Sequence, residues 1–156
     1  MSKIMPAEDA IALIQPGDVL AVSGYGTNGV PEKLLAELQG RFKEAGTPDG
    51  LTLVFAGGIG DAKDRGLNRL GHETLLKRVI AGHYGLIPAI ERLAVDNKIE
   101  AYNLPEGVIT HLYRDIAAGK PGTLSKVGLD TFVDPRIEGA KVNHAAVEDI
   151  VELVTL

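Results

Sequence analysis

A glycine-rich turn between an apolar run and an amphipathic stretch makes this part of the chain well suited to bind an anion. The turn covers residues 24–29 and reads Gly-Tyr-Gly-Thr-Asn-Gly. Glycine lets the backbone approach a ligand closely, and the helix that follows offers free N–H groups at the positive end of its dipole. We therefore expect the turn to meet an anion or a developing negative charge. The residues expected to contact the ligand are Gly24, Gly26 and Gly29, through backbone donors, and the neighbouring Asn28.

The elements that must position this turn follow from alternating strand and helix patterns along the chain. Apolar runs predict strands at residues 19–22, 51–56, 79–80 and 99–102, and helical spacing predicts helices at 6–14, 31–44, 86–95 and 105–118. Strands separated by helices predict an α/β fold with a mostly parallel sheet flanked by helices. The stretch 120–143 is irregular and rich in glycine and proline, and residues 150–154 could add a last strand.

Four turns are expected to lie together at one edge of this sheet. They follow the predicted strands at residues 24–30, 57–61, 82–85 and 103–107. In open parallel sheets, ligands bind outside the carboxyl ends of the strands. The functional site is therefore expected to be assembled from these four turns.

Composition excludes several classes of function. The chain has no cysteine, which removes disulfides and thiolate catalysis. A net charge of −5 without a basic tract argues against nucleic acid as the main partner. No apolar run approaches the roughly 20 residues of a membrane helix, and Glu8 and Asp9 do not fit a signal peptide, so we expect a cytoplasmic protein. His72 and Glu73 lack the spaced companions of a metal site, and none is predicted.

The spacing Gly24-x-Gly26-x-x-Gly29 also matches the fingerprint of dinucleotide-binding domains, but its context does not fit. That fold needs an acidic residue at the end of the next strand to hold the ribose. Asp49 has the right spacing but precedes the strand, and no carboxylate follows until Asp61. The match alone is weak, and a nicotinamide cofactor is not favoured.

Several motifs, in the right order, resemble the N-terminal half of the class I coenzyme A transferases. In residues 17–32, Ser23-Gly24-Tyr25 stands where Gly-Gly-Phe is usual, followed by the spaced Gly29 and Pro31. The resemblance continues through residues 51–61, 82–85, 102–108 and 114–122. It is closest to the branch of acetate, propionate and short-chain acyl-CoA:3-ketoacid CoA-transferases, and it covers nearly all of the chain.

This resemblance implies a covalent chemistry that the chain cannot complete by itself. The family moves CoA from an acyl-CoA to a free carboxylate through an acyl-glutamyl anhydride and a glutamyl-CoA thioester. The glutamate normally lies in a Ser-Glu-Asn-Gly motif of a second domain or subunit, and no such motif occurs in residues 1–156. Residues 1–156 are thus expected to form an N-terminal, alpha-type domain that is incomplete at its C-terminus and inactive alone. The resemblance implies acyl-CoA and a small carboxylate as substrates, no tightly bound cofactor, and a homo-oligomer.

Two further residues enter the site through this resemblance. In many members the turn at residues 105–107 reads Pro-Gln-Gly, and its glutamine is an oxyanion donor, but here the residue is Glu106. An ionised carboxylate has no proton to donate, so Glu106 is protonated by burial, binds another substrate group, or leaves the role to another donor. Glu106 could also have a purely structural role, because an acidic side chain in the first turn of a helix interacts favourably with the helix dipole. His83 and Tyr84 could contact the acyl group or pantetheine arm, or could fill their turn.

Three functions remain open from the sequence. The first is the substrate-side half of a CoA-transferase, and the second is a non-catalytic domain that binds acyl-CoA or a small carboxylate. The third is a protein like the sugar-phosphate isomerases, which share this general fold. A downstream Glu-x-Gly turn would favour the first, whereas an isomerase would need its own acid–base residues in this chain.

Overall fold

The computed structural model describes residues 4–155 and is built around a parallel sheet of four strands. The strands are β1 (Val19–Ala21), β2 (Leu51–Phe55), β3 (Leu76–Ala81) and β4 (Glu100–Asn103). The helices are α1 (Ala7–Ala12), α2 (Glu32–Ala45), α3 (Pro88–Val95) and α4 (Glu106–Ala117), with a short 3₁₀ helix at Leu67–Leu70. The predicted α/β fold is therefore confirmed. None of the helices between residues 4 and 155 combines the length and the apolar character needed to cross a lipid bilayer.

The strands pair in the order in which they occur in the chain. All three pairings, β1–β2, β2–β3 and β3–β4, are parallel, and Leu53 of β2 lies beside Leu20 of β1 and Val79 of β3. Parallel neighbours require a crossover that returns the chain to the starting edge of the sheet. Every strand consequently ends at the same edge, called here the carboxyl edge, as the sequence predicted.

Alternating side chains of the strands divide the core between the two faces of the sheet. The first apolar cluster joins one side of β2 to α2 and α3, and it includes Leu51, Leu53, Phe55, Leu38 and Ile90. The second cluster lies on the opposite face, where Val54 packs with Ile109 of α4. Both faces are covered, as is usual for parallel sheets.

Residues 120–155, called here the C-terminal segment, complete the second face without forming a helix or a strand. Ile150 and Val151 pack against the second cluster, so the strand considered for residues 150–154 is not formed. The segment instead contacts the edge of the sheet through one antiparallel bridge, between Lys141 and Tyr102 of β4.

Two apolar positions are more exposed than the sequence patterns predict. Val19 is 69% exposed because β1 is an edge strand, whereas a continuous apolar run such as residues 19–22 is typical of a strand buried on both faces. Such burial is found in β2, in which four of the five residues are buried. Ile116 is 62% exposed near the end of α4, although its helical spacing from Ile109 and Leu112 is typical of an inward-facing position.

Candidate functional site

Hydrogen bonds join the four turns at the carboxyl edge to one another. The Gly26 N–H donates to the Gly58 carbonyl at 2.8 Å, which links the first turn to the second. The Ala62 N–H donates to the Leu86 carbonyl at 3.0 Å, which links the second to the third. The Leu104 N–H donates to the Ala81 carbonyl at 3.0 Å, which links the fourth turn to the end of β3. Backbone hydrogen bonds therefore hold the four turns along the same edge of the sheet.

The glycine-rich turn is closed by a pair of backbone hydrogen bonds. The Tyr25 N–H donates to the Asn28 carbonyl at 3.0 Å, and the Asn28 N–H donates to the Tyr25 carbonyl at 2.9 Å. Gly24 has φ +139°, and a β-carbon there would lie 3.2 Å from the Asn28 carbonyl oxygen. The closed turn therefore requires glycine at position 24.

The backbone donors of this turn are not equivalent. The Gly26 N–H is used by Gly58, so it holds two turns together in this conformation and is not available to a ligand. Within residues 4–155, no hydrogen bond uses the N–H groups of Gly24 or Gly29. The Asn28 side chain is exposed beside them. The donors that remain for an anion are therefore the amides at both ends of the turn and the side chain of Asn28.

Glu106 is the first residue of α4 and lies across the end of β3. Pro105 precedes it, as expected at a helix start, and the Glu106 side chain occupies the space beside the α-carbon of Gly82. Glu106 is exposed, which removes the burial on which one interpretation of this residue depended. A carboxylate at the first turn of a helix also suits the helix dipole.

His83 and Tyr84 have different surroundings although they are adjacent. The Tyr84 hydroxyl has one hydrogen, which it donates to the carbonyl of Tyr102 at 2.9 Å, while the carbonyl of Val79 at 3.3 Å is a weaker second acceptor. The Tyr84 ring packs edge-on against Phe55. Burial raises the pKa of Tyr84. Tyr84 thus fills the turn, whereas His83 is exposed at the carboxyl edge.

An open cleft of about 380 Å³ lies beside His83. One wall comes from the ends of β3 and β4, and the other comes from the C-terminal segment. The lining residues are Gly82, His83, Tyr84, Asn103, Phe132, Glu138, Lys141 and Val142. The last four were not predicted from the sequence, because residues 120–143 show no periodicity that would place them near the edge. Lys141 pairs with Asp149 of the same segment.

A second set of contacts that was not predicted from the sequence joins the start of α2 to the 3₁₀ helix. One oxygen of Glu32 lies 2.6 Å from Arg69 Nε, and the other accepts the Gly66 N–H at 2.9 Å. Burial opposes ionisation of this carboxyl, but the hydrogen bond from Gly66 and the pairing with Arg69 outweigh it and lower the pKa of Glu32. Both contacts span more than 30 residues of sequence, and local patterns could not have revealed them.

The loop after Gly60 is organised by a single carboxylate. Asp61 Oδ1 accepts the N–H groups of Lys63, Asp64 and Arg65 at 2.9 to 3.1 Å. The hydrogen bond from the Arg65 N–H is the largest influence on the pKa of Asp61, which is lowered. Asp61 therefore supports its own loop. Between residues 4 and 155, no three histidine or acidic side chains are grouped as metal ligands would be.

Comparison with known proteins relates nearly the whole chain to enzymes that transfer coenzyme A. The family model for coenzyme A transferases matches residues 4–154. The caffeate CoA-transferase of Acetobacterium woodii is 43% identical over 154 residues, which are 99% of this chain and 29% of that protein. The acetate CoA-transferase YdiF of Escherichia coli K12 is 40% identical over 153 residues, which are 97% of this chain and 29% of that enzyme.

A solved structure extends this likeness to three dimensions. An acyl-CoA transferase from E. coli O157:H7, crystallised as a thioester complex with CoA, is 40% identical and superposes with a TM-score of 0.92. The superposition covers 97% of this chain and 30% of the other. The chain thus spans less than a third of the length of this enzyme and of the caffeate enzyme.

Proposed function

This chain belongs to the coenzyme A transferase family, and we propose that it is the substrate-side half of an acyl-CoA:carboxylate CoA-transferase. In this proposal, CoA moves between a short-chain acyl-CoA and a free carboxylic or keto acid. The observation that carries it is the gathering of the glycine-rich turn, His83 and Glu106 at one edge of a sheet whose sequence matches the family over residues 4–154.

The proposed reaction is a covalent, ping-pong transfer. A glutamate outside residues 1–156 attacks the thioester carbonyl, the C–S bond breaks, and CoA leaves as a thiolate while an acyl-glutamyl anhydride remains. The thiolate then attacks the glutamyl carbonyl of the anhydride, which releases the donor acid and leaves a glutamyl-CoA thioester. The acceptor carboxylate runs the two steps in reverse. No net proton or electron is consumed.

In this scheme the chain's own contribution is to stabilise charge. Each step places negative charge on a carbonyl oxygen, and preorganised donors are most effective where that charge develops. We assign this role to the N–H groups of Gly24 and Gly29 and to the Asn28 amide, because they have no partner within residues 4–155. Gly26 supports them by its hydrogen bond to Gly58.

Glu106 and His83 complete the proposed site. Glu106 stands at the position of the family's glutamine donor, but an ionised carboxylate cannot donate a hydrogen bond. The oxyanion is therefore assigned to the backbone amides of the glycine-rich turn, and Glu106 to a contact with the bound acyl substrate. His83 is assigned to the wall of the acyl or pantetheine site, since it is exposed and lines the cleft.

The remaining parts of the proposed enzyme lie outside this chain. A second CoA-transferase domain or subunit supplies the glutamate, and the complete protein works as a homo-oligomer in the cytoplasm. CoA enters as a substrate, without a tightly bound cofactor. Residues 1–156 alone are expected to be inactive.

Mass spectrometry tests this proposal directly. The intact protein in its natural assembly is mixed with acyl-CoA, and the reaction is stopped with or without borohydride. Without borohydride, we expect one glutamate outside residues 1–156 to gain the mass of CoA; with borohydride, CoA should be released as its thiol and the same glutamate should be reduced to the alcohol. Labelling of Glu106 would overturn the assignment, and binding of acyl-CoA without a covalent product would favour a non-catalytic binding domain.

A further inference from the structure

The 3₁₀ helix Leu67–Leu70 places a buried side-chain amide between two turns of the carboxyl edge. Asn68 is 6% exposed. Burying an amide costs free energy unless its polar atoms are hydrogen-bonded. Its three partners are therefore expected to fix the distance between the segments to which they belong.

These partners come from both sides of the 3₁₀ helix. Asn68 Nδ2 donates to the carbonyls of Arg65 at 3.0 Å and of Leu86 at 3.1 Å, which uses both of its hydrogens. Asn68 Oδ1 accepts the N–H of Ala89 at 3.2 Å. Ala89 is in the first turn of α3, where N–H groups have no partner inside the helix. Asn68 thus joins its own loop, which follows the turn at residues 57–61, to the β3–α3 turn (residues 82–87) and the start of α3.

The two turns are packed too closely to tolerate a change of spacing. The Leu86 carbonyl also accepts the Ala62 N–H, and a β-carbon on Gly60 would collide with that same carbonyl oxygen. It would also lie 3.0 Å from Asn68 Nδ2. Since there is no free volume at this contact, loss of the Asn68 bonds should move one turn relative to the other.

The other side of the 3₁₀ helix is fixed to the start of α2. Glu32 binds both the Gly66 N–H and the Arg69 side chain. A β-carbon on Gly66 would lie 2.6 Å from the Ile59 carbonyl oxygen. The 3₁₀ helix therefore has fixed contacts on two sides. On one side it contacts α2, the helix that follows the glycine-rich turn, and on the other it contacts the β3–α3 turn.

We propose that Asn68 is a positioning residue that sets the place of His83 relative to the glycine turn 57–60. His83 Cδ2 lies 2.7 Å from the position that a β-carbon on Gly58 would occupy, so the two turns meet at this ring. Asn68 is buried behind them and acts through Leu86 and Ala89. The kinetic part of its test rests on the proposed function, whereas the structural part does not.

The test compares Asn68→Asp with a chemically matched control in the complete protein. Aspartate keeps the acceptor for the Ala89 N–H but cannot donate to the two carbonyls. Asn143 makes the same kind of contacts, since its Nδ2 donates to the carbonyls of Ala94 and Ile99 and its Oδ1 accepts the Ala101 N–H. These contacts lie at the opposite end of β4 from the carboxyl edge.

We expect Asn68→Asp to lower kcat/KM about 10- to 100-fold, because misplacing a group that holds the substrate by 1 Å can cost that much. Asn143→Asp should lose stability similarly and keep kcat/KM within about 2-fold of wild type. Equal losses of kcat/KM in both variants would overturn the proposal. Asn68→Ser, which cannot span both turns, replaces Asn68→Asp in every measurement if the aspartate variant does not fold.

Hydrogen exchange supplies the readout that is independent of catalysis. In Asn68→Asp, the backbone amides of residues 57–66 and 82–90 should exchange faster than in wild type. In Asn143→Asp, the amides of the same two segments should exchange at the wild-type rate. Unchanged exchange in these two segments would overturn the inference even if activity falls. A wild-type protein without CoA-transfer activity would refute the proposed function instead, and the exchange data would still decide the role of Asn68.

Discussion

The side chain of Glu106 occupies the space that a β-carbon on Gly82 would need. The carbonyl oxygen of Ala56, just after the end of β2, also lies too close to that position for a β-carbon to fit. Glycine is therefore the only residue type at position 82 that lets the start of α4 close over the end of β3. This contact brings Glu106 beside the turn that carries His83.

Replacing Gly82 with alanine should destabilise the protein and disturb the proposed site. Overpacking of this kind costs about 1–3 kcal/mol. The measurement is the free energy of unfolding in denaturant, together with kcat, on the complete protein. Gly107→Ala is the matched control, because a β-carbon at Gly107 meets no atom within 4 Å, and alanine should stabilise α4 by up to about 1 kcal/mol. Equal stability of the two variants would contradict this account of Gly82.

Replacing Glu106 with glutamine should keep or increase acyl transfer. Glutamine has nearly the same shape and adds an amide N–H donor, which the resemblance to the family implies is the donor at this position. Steady-state kcat and KM should be compared for wild type, Glu106→Gln and Glu106→Ala. A loss of kcat in Glu106→Gln beyond about 100-fold, the lower range of acid–base catalysis, would mean that the carboxylate itself takes part in the chemistry.

The Glu32–Arg69 pair should make stability depend on pH. The pKa of Glu32 is lowered in the folded protein, so its contribution is complete above the ordinary carboxyl pKa, near 4.5, and is lost as the pH falls through the lowered value. At pH 7, Glu32→Gln should cost about 1.5–3 kcal/mol, as for a hydrogen bond to a charged group.

That cost should shrink as the pH is lowered below the ordinary carboxyl range, because wild-type Glu32 then becomes neutral as well. Urea unfolding at a series of pH values measures the difference. Glu44→Gln, an exposed carboxylate near the other end of α2, controls for the change in net charge. A cost that stays constant down to about pH 2, below the ordinary carboxyl pKa, would contradict the ionic origin of this contribution.

Removing the Tyr84 hydroxyl should affect stability rather than turnover. Tyr84→Phe removes the hydrogen bond from the Tyr84 hydroxyl to the Tyr102 carbonyl, which should cost about 0.5–1.5 kcal/mol, the net contribution of a typical hydrogen bond. Its kcat should remain near that of wild type, because the ring fills the turn. Tyr25→Phe is the control, since Tyr25 is 70% exposed and surface changes cost within about 0.5 kcal/mol. A strong loss of kcat in Tyr84→Phe would place this hydroxyl in the reaction.

The parallel sheet and its turns could be predicted because their signals are local. Apolar runs such as residues 51–56 end in glycines, and the order of strands and helices then forces the turns to one edge. The motifs that resemble CoA-transferases lie in the same turns, so the family was recognised from residues that are close together in sequence.

The finer arrangement depends on contacts that no local pattern records. Gly26 was expected to donate to a ligand, but the structure pairs its N–H with Gly58, more than 30 residues away. Asn68 and Arg69 are polar residues in a stretch whose sequence shows no clear helix or strand pattern. Phe132 and Lys141 join the cleft only because the irregular C-terminal segment returns to the edge of β4.

The sequential strand order also has a consequence for how the chain folds during synthesis. Each βα unit can dock on the one made just before it, so residues 4–103 can assemble one face progressively as they leave the ribosome. The opposite face of that nascent sheet stays bare until α4 and the chain up to Val151 have emerged. A chaperone that recognises apolar surface should therefore bind translation intermediates stalled near residue 103 more strongly than those stalled beyond residue 151.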